Sequence, residues 1–387
     1  MNEEIVFVDR RNTDCNKWDN LHAMYGEGDL QAMWIADMDF KVADCIAKAI
    51  EKYLTMGVFG YYKVPASYHE AFIEWEKKYH NYSLKPEWIR FSPGVVPAIN
   101  WFVHIMTKPG DSVLVQTPVY YPFMDAVKNN GRNLVCSDLV NTNGRYTIDY
   151  GKFERDITEN NVKVFILCSP HNPAGRVWKR EELKTMLDIC KEHNVFVISD
   201  EIHHDIVFEG SFHIPSATTG DYDHILVTLT AATKSFNLAG CQNSFVVIPD
   251  EEIRMKYDTF MESIRIRGGN PFGYIAVEAA YREGRPWFEK VKDIIYGNYL
   301  YAKQTLEEAL PMITVTPLEG TYLMWIDFGA YLNSDEIKEF MQKKCRLAFD
   351  YGDWFGGERF GTHVRMNLAT SRELVEKAVQ SIIKELK

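Results

Sequence analysis

The chain runs to 387 residues, room for two or three structural units. Its 43 basic side chains against 54 acidic ones leave a net charge of −11, the wrong sign for a polyanion partner, so nucleic-acid binding is excluded. Hydrophobic residues at 46% and charged residues at 25% exclude disordered, collagen-like and coiled-coil chains, and no run reaches the roughly 18 apolar residues of a membrane span.

The seven cysteines form no CxxC pair, and several sit inside apolar runs, as reduced core cysteines do. A chain this long buries enough surface to fold without disulfide or metal staples. The opening residues carry Glu3, Glu4, Asp9 and Asp14 and no signal-peptide pattern. A cytoplasmic protein is expected.

In chain order, short apolar strands alternate with helical segments, the pattern of an α/β protein with a mostly parallel sheet. Strands are predicted at 112–116, 162–168, 195–199, 225–230 and 243–248, each apolar enough to be buried on both faces. Between them, 180–192 places Leu183, Met186, Leu187 and Cys190 at helical spacing. Residues 250–310 read as long and helical. The texture then changes: strands at 313–315, 322–327, 347–349 and 364–368 and a closing helix at 372–386 describe a smaller α+β unit. The expected division is a segment 1–50 that joins the small domain, a large domain over 51–290 and a small domain over 291–387, with a ligand cleft between the lobes.

Four stretches could carry chemistry. Ser92-Pro93-Gly94-Val95-Val96-Pro97 is a turn running into a helix start, whose free N–H groups could seat a phosphate or could simply be a turn. The strand at 162–168 gives way to Pro170-His171-Asn172-Pro173, at the sheet edge where ligands collect in open α/β folds; Asn172 could present its amide there, or stabilise its own backbone. The next strand ends in Asp200-Glu201-Ile202-His203-His204-Asp205. A metal is disfavoured, because adjacent histidines point apart and no matching downstream pair exists; Asp200 either holds a cationic ring nitrogen or is a solvated loop acid. Finally Thr233-Lys234-Ser235 follows an apolar strand, which puts a lysine where burial can neutralise it and make it a Schiff-base former, although most lysines are surface residues.

These four motifs, in this order, resemble pyridoxal-phosphate enzymes of fold type I, the aspartate aminotransferase superfamily, over nearly the whole chain. That likeness implies a large domain with a mostly parallel sheet of the seven-stranded type between helices, plus the smaller α+β domain. It implies that Lys234 forms the Schiff base with pyridoxal 5'-phosphate, Asp200 pairs with the pyridine nitrogen and Asn172 bonds the phenolic oxygen. Tyr120 would stack on the ring, while Gly94, Val95 and Val96 seat the phosphate. His203 falls where many relatives carry a tyrosine near the phenolic oxygen, Thr233 adjoins the lysine, and Arg365 would bind the substrate carboxylate. Tyr61 matches a tyrosine that crosses to the partner's phosphate in a homodimer.

Within the superfamily the chain is similar to the MalY/PatB-type cystathionine β-lyases, through Trp34-Ile35-Ala36-Asp37-Met38-Asp39-Phe40, Asp200-Glu201-Ile202-His203 and Thr233-Lys234-Ser235-Phe236-Asn237. Gln242 stands where aminotransferases often place a phosphate-gripping arginine. The implied reaction is β-elimination of a sulfur amino acid, cystathionine or cysteine, to thiol, pyruvate and ammonia. Lys234 is then the catalytic base and Tyr120 assists through positioning. The rivals are an aminotransferase using the same site and a regulatory module that uses the fold to hold a partner protein.

Overall fold

The computed structural model describes residues 3–387. Its centre is a seven-stranded sheet in the order Ile89–Ser92, Ser244–Val247, Leu226–Thr230, Phe196–Asp200, Val162–Cys168, Ser112–Val115, Asn133–Cys136. Only Ser244–Val247 runs antiparallel to its neighbours; the other pairings are parallel. The central strands are apolar on both faces because helices cover both. Val95–Met106, Tyr121–Asn129 and Glu251–Ser263 pack on one side, and Tyr150–Glu159 and Arg180–Glu192 on the other. Arg180–Glu192 shows how local sequence and packing agree. The Glu182 carboxylate accepts the Lys179 N–H at 2.8 Å at its start, Leu183, Met186, Leu187 and Cys190 are all buried, and Asn194 in the left-handed region closes it.

A four-stranded antiparallel sheet, Thr314–Val315, Leu323–Asp327, His363–Asn367 and Asp350–Tyr351, stands apart from the first. The closing helix Arg372–Leu386 packs on Arg285–Ala309 beside it. The N-terminal segment is tied in by a parallel pairing of Gln31–Ala32 with Leu347–Ala348 and by buried Asp39, which takes Lys17 Nζ at 2.7 Å and the Trp18 indole N–H at 3.0 Å.

The mostly parallel α/β sheet and the smaller antiparallel one follow the expected fold class. The strand expected at 347–349 is found as Leu347–Ala348 and pairs with the N-terminal segment, while the four-stranded sheet takes the adjoining Asp350–Tyr351. Two local expectations need correction. The helical stretch 250–310 is three helices: Gly268, Gly269 and the N-cap Asn270 before Pro271 end one and start the next, and Gly284 before Pro286 makes the second break. Two edge elements, Ile89–Ser92 and Asn133–Cys136, were not expected as strands. Among the described residues no helix is long and apolar enough to cross a membrane.

Candidate active site

Every parallel strand of the large sheet ends at the same edge, and the candidate residues sit at those ends or up to five positions beyond them. Gly94 follows Ile89–Ser92, Tyr120 follows Ser112–Val115, Asn172 follows Val162–Cys168, Asp200 closes Phe196–Asp200 and Lys234 follows Leu226–Thr230. They meet around a cavity of about 180 Å³. Its wall includes Gly94, Val95, Val96, Tyr120, Asn172, Asp200, His203, Thr233 and Lys234. It also includes Ala36, Cys168, Ile202, Ala239 and Ser244, which sequence reasoning did not single out, although Ala36 lies inside one of the motifs noted above.

At the floor, Lys234 Nζ donates to Ala36 O at 2.6 Å, and the Tyr322 hydroxyl donates to the same carbonyl at 2.9 Å. Burial pulls the lysine down to about 8, with Arg365 acting the same way and Asp37 and Asp200 opposing. Asp200 shows the mirror effect. Burial pushes its carboxyl up to about 7, against an Ile202 N–H donated to Oδ1 at 3.0 Å and the charge of Lys234. His203 is held well below the ordinary histidine value by burial and by Lys234 and Arg365, and its Nδ1 is buried with no hydrogen-bond partner. A neutral imidazole, an acid raised to about 7 and an amine lowered to about 8 therefore share one cavity.

The helix Val95–Met106 aims its N-terminus at the same space. The N–H groups of Val95 and Val96 belong to its first turn and have no intrahelical acceptor, and Pro97 has no N–H to satisfy. Ser92 Oγ donates to Gly94 O at 2.6 Å and fixes the turn before it. The loop bearing Asn172 is pinned from both sides. Tyr120 N donates to Asn172 O at 3.1 Å, and Gly175, at φ 62, donates to His171 O at 2.8 Å in a conformation that favours glycine.

Two expected residues lie off the wall. Arg365 sits behind Asn172, donating Nη1 to its Oδ1 at 3.0 Å, and pairs with Asp350 through Nη2. Tyr61 is fully exposed, in a segment that also exposes Val58 and Phe59, and makes no part of the cavity of this chain. Gln242 is exposed and off the wall as well.

His203 and His204 do point apart. His204 belongs to a second buried cluster beside the cavity, donating from Nε2 to Glu76 Oε1 (3.0 Å) and from Nδ1 to Glu201 O (2.8 Å), with Thr230 Oγ1 also 2.8 Å from Nδ1. Asp205 takes His80 Nε2 at 2.8 Å, the Trp75 indole N–H at 2.9 Å and Ser235 Oγ–H at 2.6 Å. The ligand-type atoms of Glu76, His80 and His204 lie within 4.8 Å of one another. Each of these residues has a hydrogen-bonding partner within the cluster, and the carboxylates balance the imidazolium. The partners upstream, Glu76 and His80, were not anticipated; the alternation Phe72-Trp75-Glu76-His80 on one face of Ala66–His80 is the signal that carries them inward.

A profile of the family "Aminotransferase class I and II" matches residues 35–382. The chain is 38% identical over 378 residues to cystathionine beta-lyase PatB of Bacillus subtilis (strain 168), covering 97% of each. Among solved structures, a PLP-bound chain of Clostridium difficile 630, provisionally assigned as an aminotransferase, superposes with a TM-score of 0.95 at 40% identity, covering 100% of this chain and 99% of that one. Cystalysin from Treponema denticola, which contains pyridoxal 5'-phosphate, superposes at 0.93 and 34% identity, covering 100% and 99%. With a lysine, an aspartate and an asparagine at one sheet edge and this extent of likeness, the chain belongs to the class I and II aminotransferase family, in the branch that contains PatB.

Proposed function

We propose that the protein is a pyridoxal-phosphate-dependent carbon–sulfur β-lyase that converts cystathionine or cysteine to thiol, pyruvate and ammonia. The carrying observation is the enclosed trio of Lys234, Asp200 and Asn172, with the lysine lowered to about 8, in a chain so close to PatB. The donor set fits the cofactor. An amine for its aldehyde, an acid poised to ionise beside a cationic nitrogen, an orphaned imidazole nitrogen and a helix N-terminus for phosphate face one cavity.

Bound there, pyridoxal phosphate supplies a sink for the electrons left when a bond at the substrate Cα breaks. The chain does the rest. About a tenth of Lys234 is neutral at pH 7, against roughly one part in three thousand for a free lysine, so the freed amine can take the Cα proton. Asp200 would pair with the ring nitrogen and favour its protonated form. Asn172 and His203 would hold the phenolic side, Thr233 would shape the wall next to the lysine, Tyr120 would cover the ring, and Gly94, Val95 and Val96 would hold the phosphate. Arg365 receives the α-carboxylate.

The competing reading, an aminotransferase, is favoured by the Clostridium difficile likeness. Incubation with L-cystathionine and no keto acid separates them: equal amounts of pyruvate and ammonia are expected, and pyruvate that appears only with an added keto acid refutes the lyase.

The active unit is a homodimer, supported by the exposed apolar run Met56, Val58, Phe59 and Tyr61, with Tyr61 reaching the partner's phosphate. The small lobe is built from 1–50 and 291–387 and the large one from 51–290, a division supported by the two separate sheets and by the pairing of Gln31–Ala32 with Leu347–Ala348. Seven unpaired cysteines support a reducing, cytoplasmic setting.

A further inference from the structure

Arg365 is read above as the receptor of the substrate carboxylate, yet its guanidinium is already engaged. Arg365 and Asp350 are direct cross-strand partners in the antiparallel pairing of His363–Asn367 with Asp350–Tyr351. Nη2 meets the Asp350 carboxylate, Nη1 meets Asn172, and both side chains of the ion pair are 1% exposed. Two atoms are left over: Arg365 Nε and Asp350 Oδ1 are buried without a hydrogen-bond partner. An ion pair kept only for structure would satisfy such atoms, since each costs desolvation for nothing.

The charge count follows. In the free protein the pair is neutral. A carboxylate arriving at Arg365 sets two anions against one cation, in surroundings that include the Phe355 ring 5.0 Å and the Tyr120 ring 5.9 Å from the guanidinium carbon. The titratable groups that face Asp350 are Tyr25 from Leu21–Tyr25, Tyr120 and Tyr121 at the start of Tyr121–Asn129, Tyr351 on its own strand and Arg365. Burial pushes all four phenols up, so they stay neutral and compensate nothing. Burial also pushes the Asp350 carboxyl up, and Arg365 is the cation that opposes it.

We propose that Asp350 is a proton-linked counter-ion for Arg365: when a carboxylate binds the guanidinium, Asp350 takes up one proton from solvent and so sets the affinity and pH dependence of carboxylate recognition. The balance closes. Arg365 stays cationic and exchanges one anionic partner for another, Asp350 becomes a neutral acid, and its orphaned Oδ1 is the atom that can carry the proton. The inference rests on Arg365 as carboxylate receptor, and its test reads binding so that it can fail separately from the lyase reading.

The probe is propionate, a carboxylate with no amine to react, titrated into the cofactor-loaded protein between about pH 6 and about pH 9 and followed by tryptophan fluorescence. In the wild type, affinity should fall by up to about tenfold per pH unit on the alkaline side. In Asp350→Asn, which is neutral at every pH, propionate should bind with no such slope and at least about tenfold more tightly at the alkaline end. Calorimetry in two buffers of different ionisation heat should find up to one proton taken up per propionate in the wild type and none in the variant. Binding that is independent of pH in the wild type, or uniformly weaker in Asp350→Asn, overturns the proposal and leaves Asp350 a simple clamp. If the variant does not fold, carbon-13 titration of the Asp350 carboxyl in the wild type decides: protonation on propionate binding supports the proposal, and an Asp350 that stays ionised overturns it. If propionate does not bind while cystathionine still yields pyruvate, both the counter-ion and the carboxylate role of Arg365 fall and the lyase stands.

Discussion

Three pairs of chain neighbours part company at one edge of the sheet. Asp200, His203 and Lys234 face the cavity; of the residues one further on, His204 and Ser235 join the cluster of Glu76, His80 and Asp205, and the Glu201 carboxylate takes His213 Nε2 at 2.8 Å beside it. Burial is nearly complete on both sides, and the outcome is opposite. In the cavity, burial wins and moves the acid up and the lysine and histidine down, toward their neutral forms. In the cluster, partners win. Burial alone would lower His204, but Asp205 and Glu76 hold it up at about 10, while Glu201 and Asp205 are held below the carboxylate range by their histidine partners despite burial. His213 is the exception, lowered by burial although Glu201 opposes it. The lesson is that a buried ionisable group without a partner is waiting for one, and a charged cofactor supplies it. The paired cluster is the footing: Ser235 Oγ on Asp205 anchors the residue beside Lys234.

The comparison can be broken most severely at Lys234. Lys234→Ala should lower pyruvate release by more than about a thousandfold and abolish the borohydride-trapped cofactor adduct, while circular dichroism stays native. The next largest effect belongs to the other cluster. Asp205→Ala leaves an imidazolium buried with less to balance it and should cost on the order of 3–5 kcal/mol of stability in a denaturant titration. The pH signs differ between the two halves of that cluster. Stability from His204, whose folded value is raised, is complete below about pH 6.5 and lost as pH rises through about 10, whereas that from Asp205, whose folded value is lowered, is present above about pH 4 and lost as pH falls.

Asp200→Asn sharpens the contrast. It should slow exchange of the substrate α-proton by about a hundredfold and yet raise the melting temperature of the cofactor-free protein by a few degrees. Asp200 is raised on folding, so its penalty is absent below about pH 4, grows toward about pH 7 and is constant above; the gain in the variant should follow that profile. The smallest effect is expected at Tyr61. Because the side chain is fully exposed in this chain, Tyr61→Phe should leave stability unchanged and, if Tyr61 reaches a partner's phosphate as proposed, weaken cofactor affinity by about tenfold, the loss of one charge-assisted hydrogen bond, measured by dialysis against free cofactor.

Much of the cavity was legible in the sequence because Asn172, Asp200 and Lys234 each follow an apolar run that could only be a buried strand, and parallel neighbours end on one edge. What was illegible depends on pairing between distant segments. His80 and Asp205 are 125 residues apart, and Asp350 becomes a partner of Arg365 only through a strand register that no local pattern announces. Ile89–Ser92 and Asn133–Cys136 escaped because their apolar runs are short: Arg90 interrupts the first, and the second offers only Leu134, Val135 and Cys136. The long helical region misled in the other direction, since helical periodicity persists on both sides of the break at Gly268, Gly269 and Asn270.

The contrast between the two clusters is tested most directly by carbon-13 titration of the aspartate carboxyls, with Asp200→Asn and Asp205→Asn used for assignment. In the cofactor-free protein Asp200 should titrate near 7 while Asp205 stays ionised throughout the neutral range, and pyridoxal phosphate should lock Asp200 in its ionised form. An Asp200 that titrates near 4 without cofactor, or that stays protonated with it, would contradict the account.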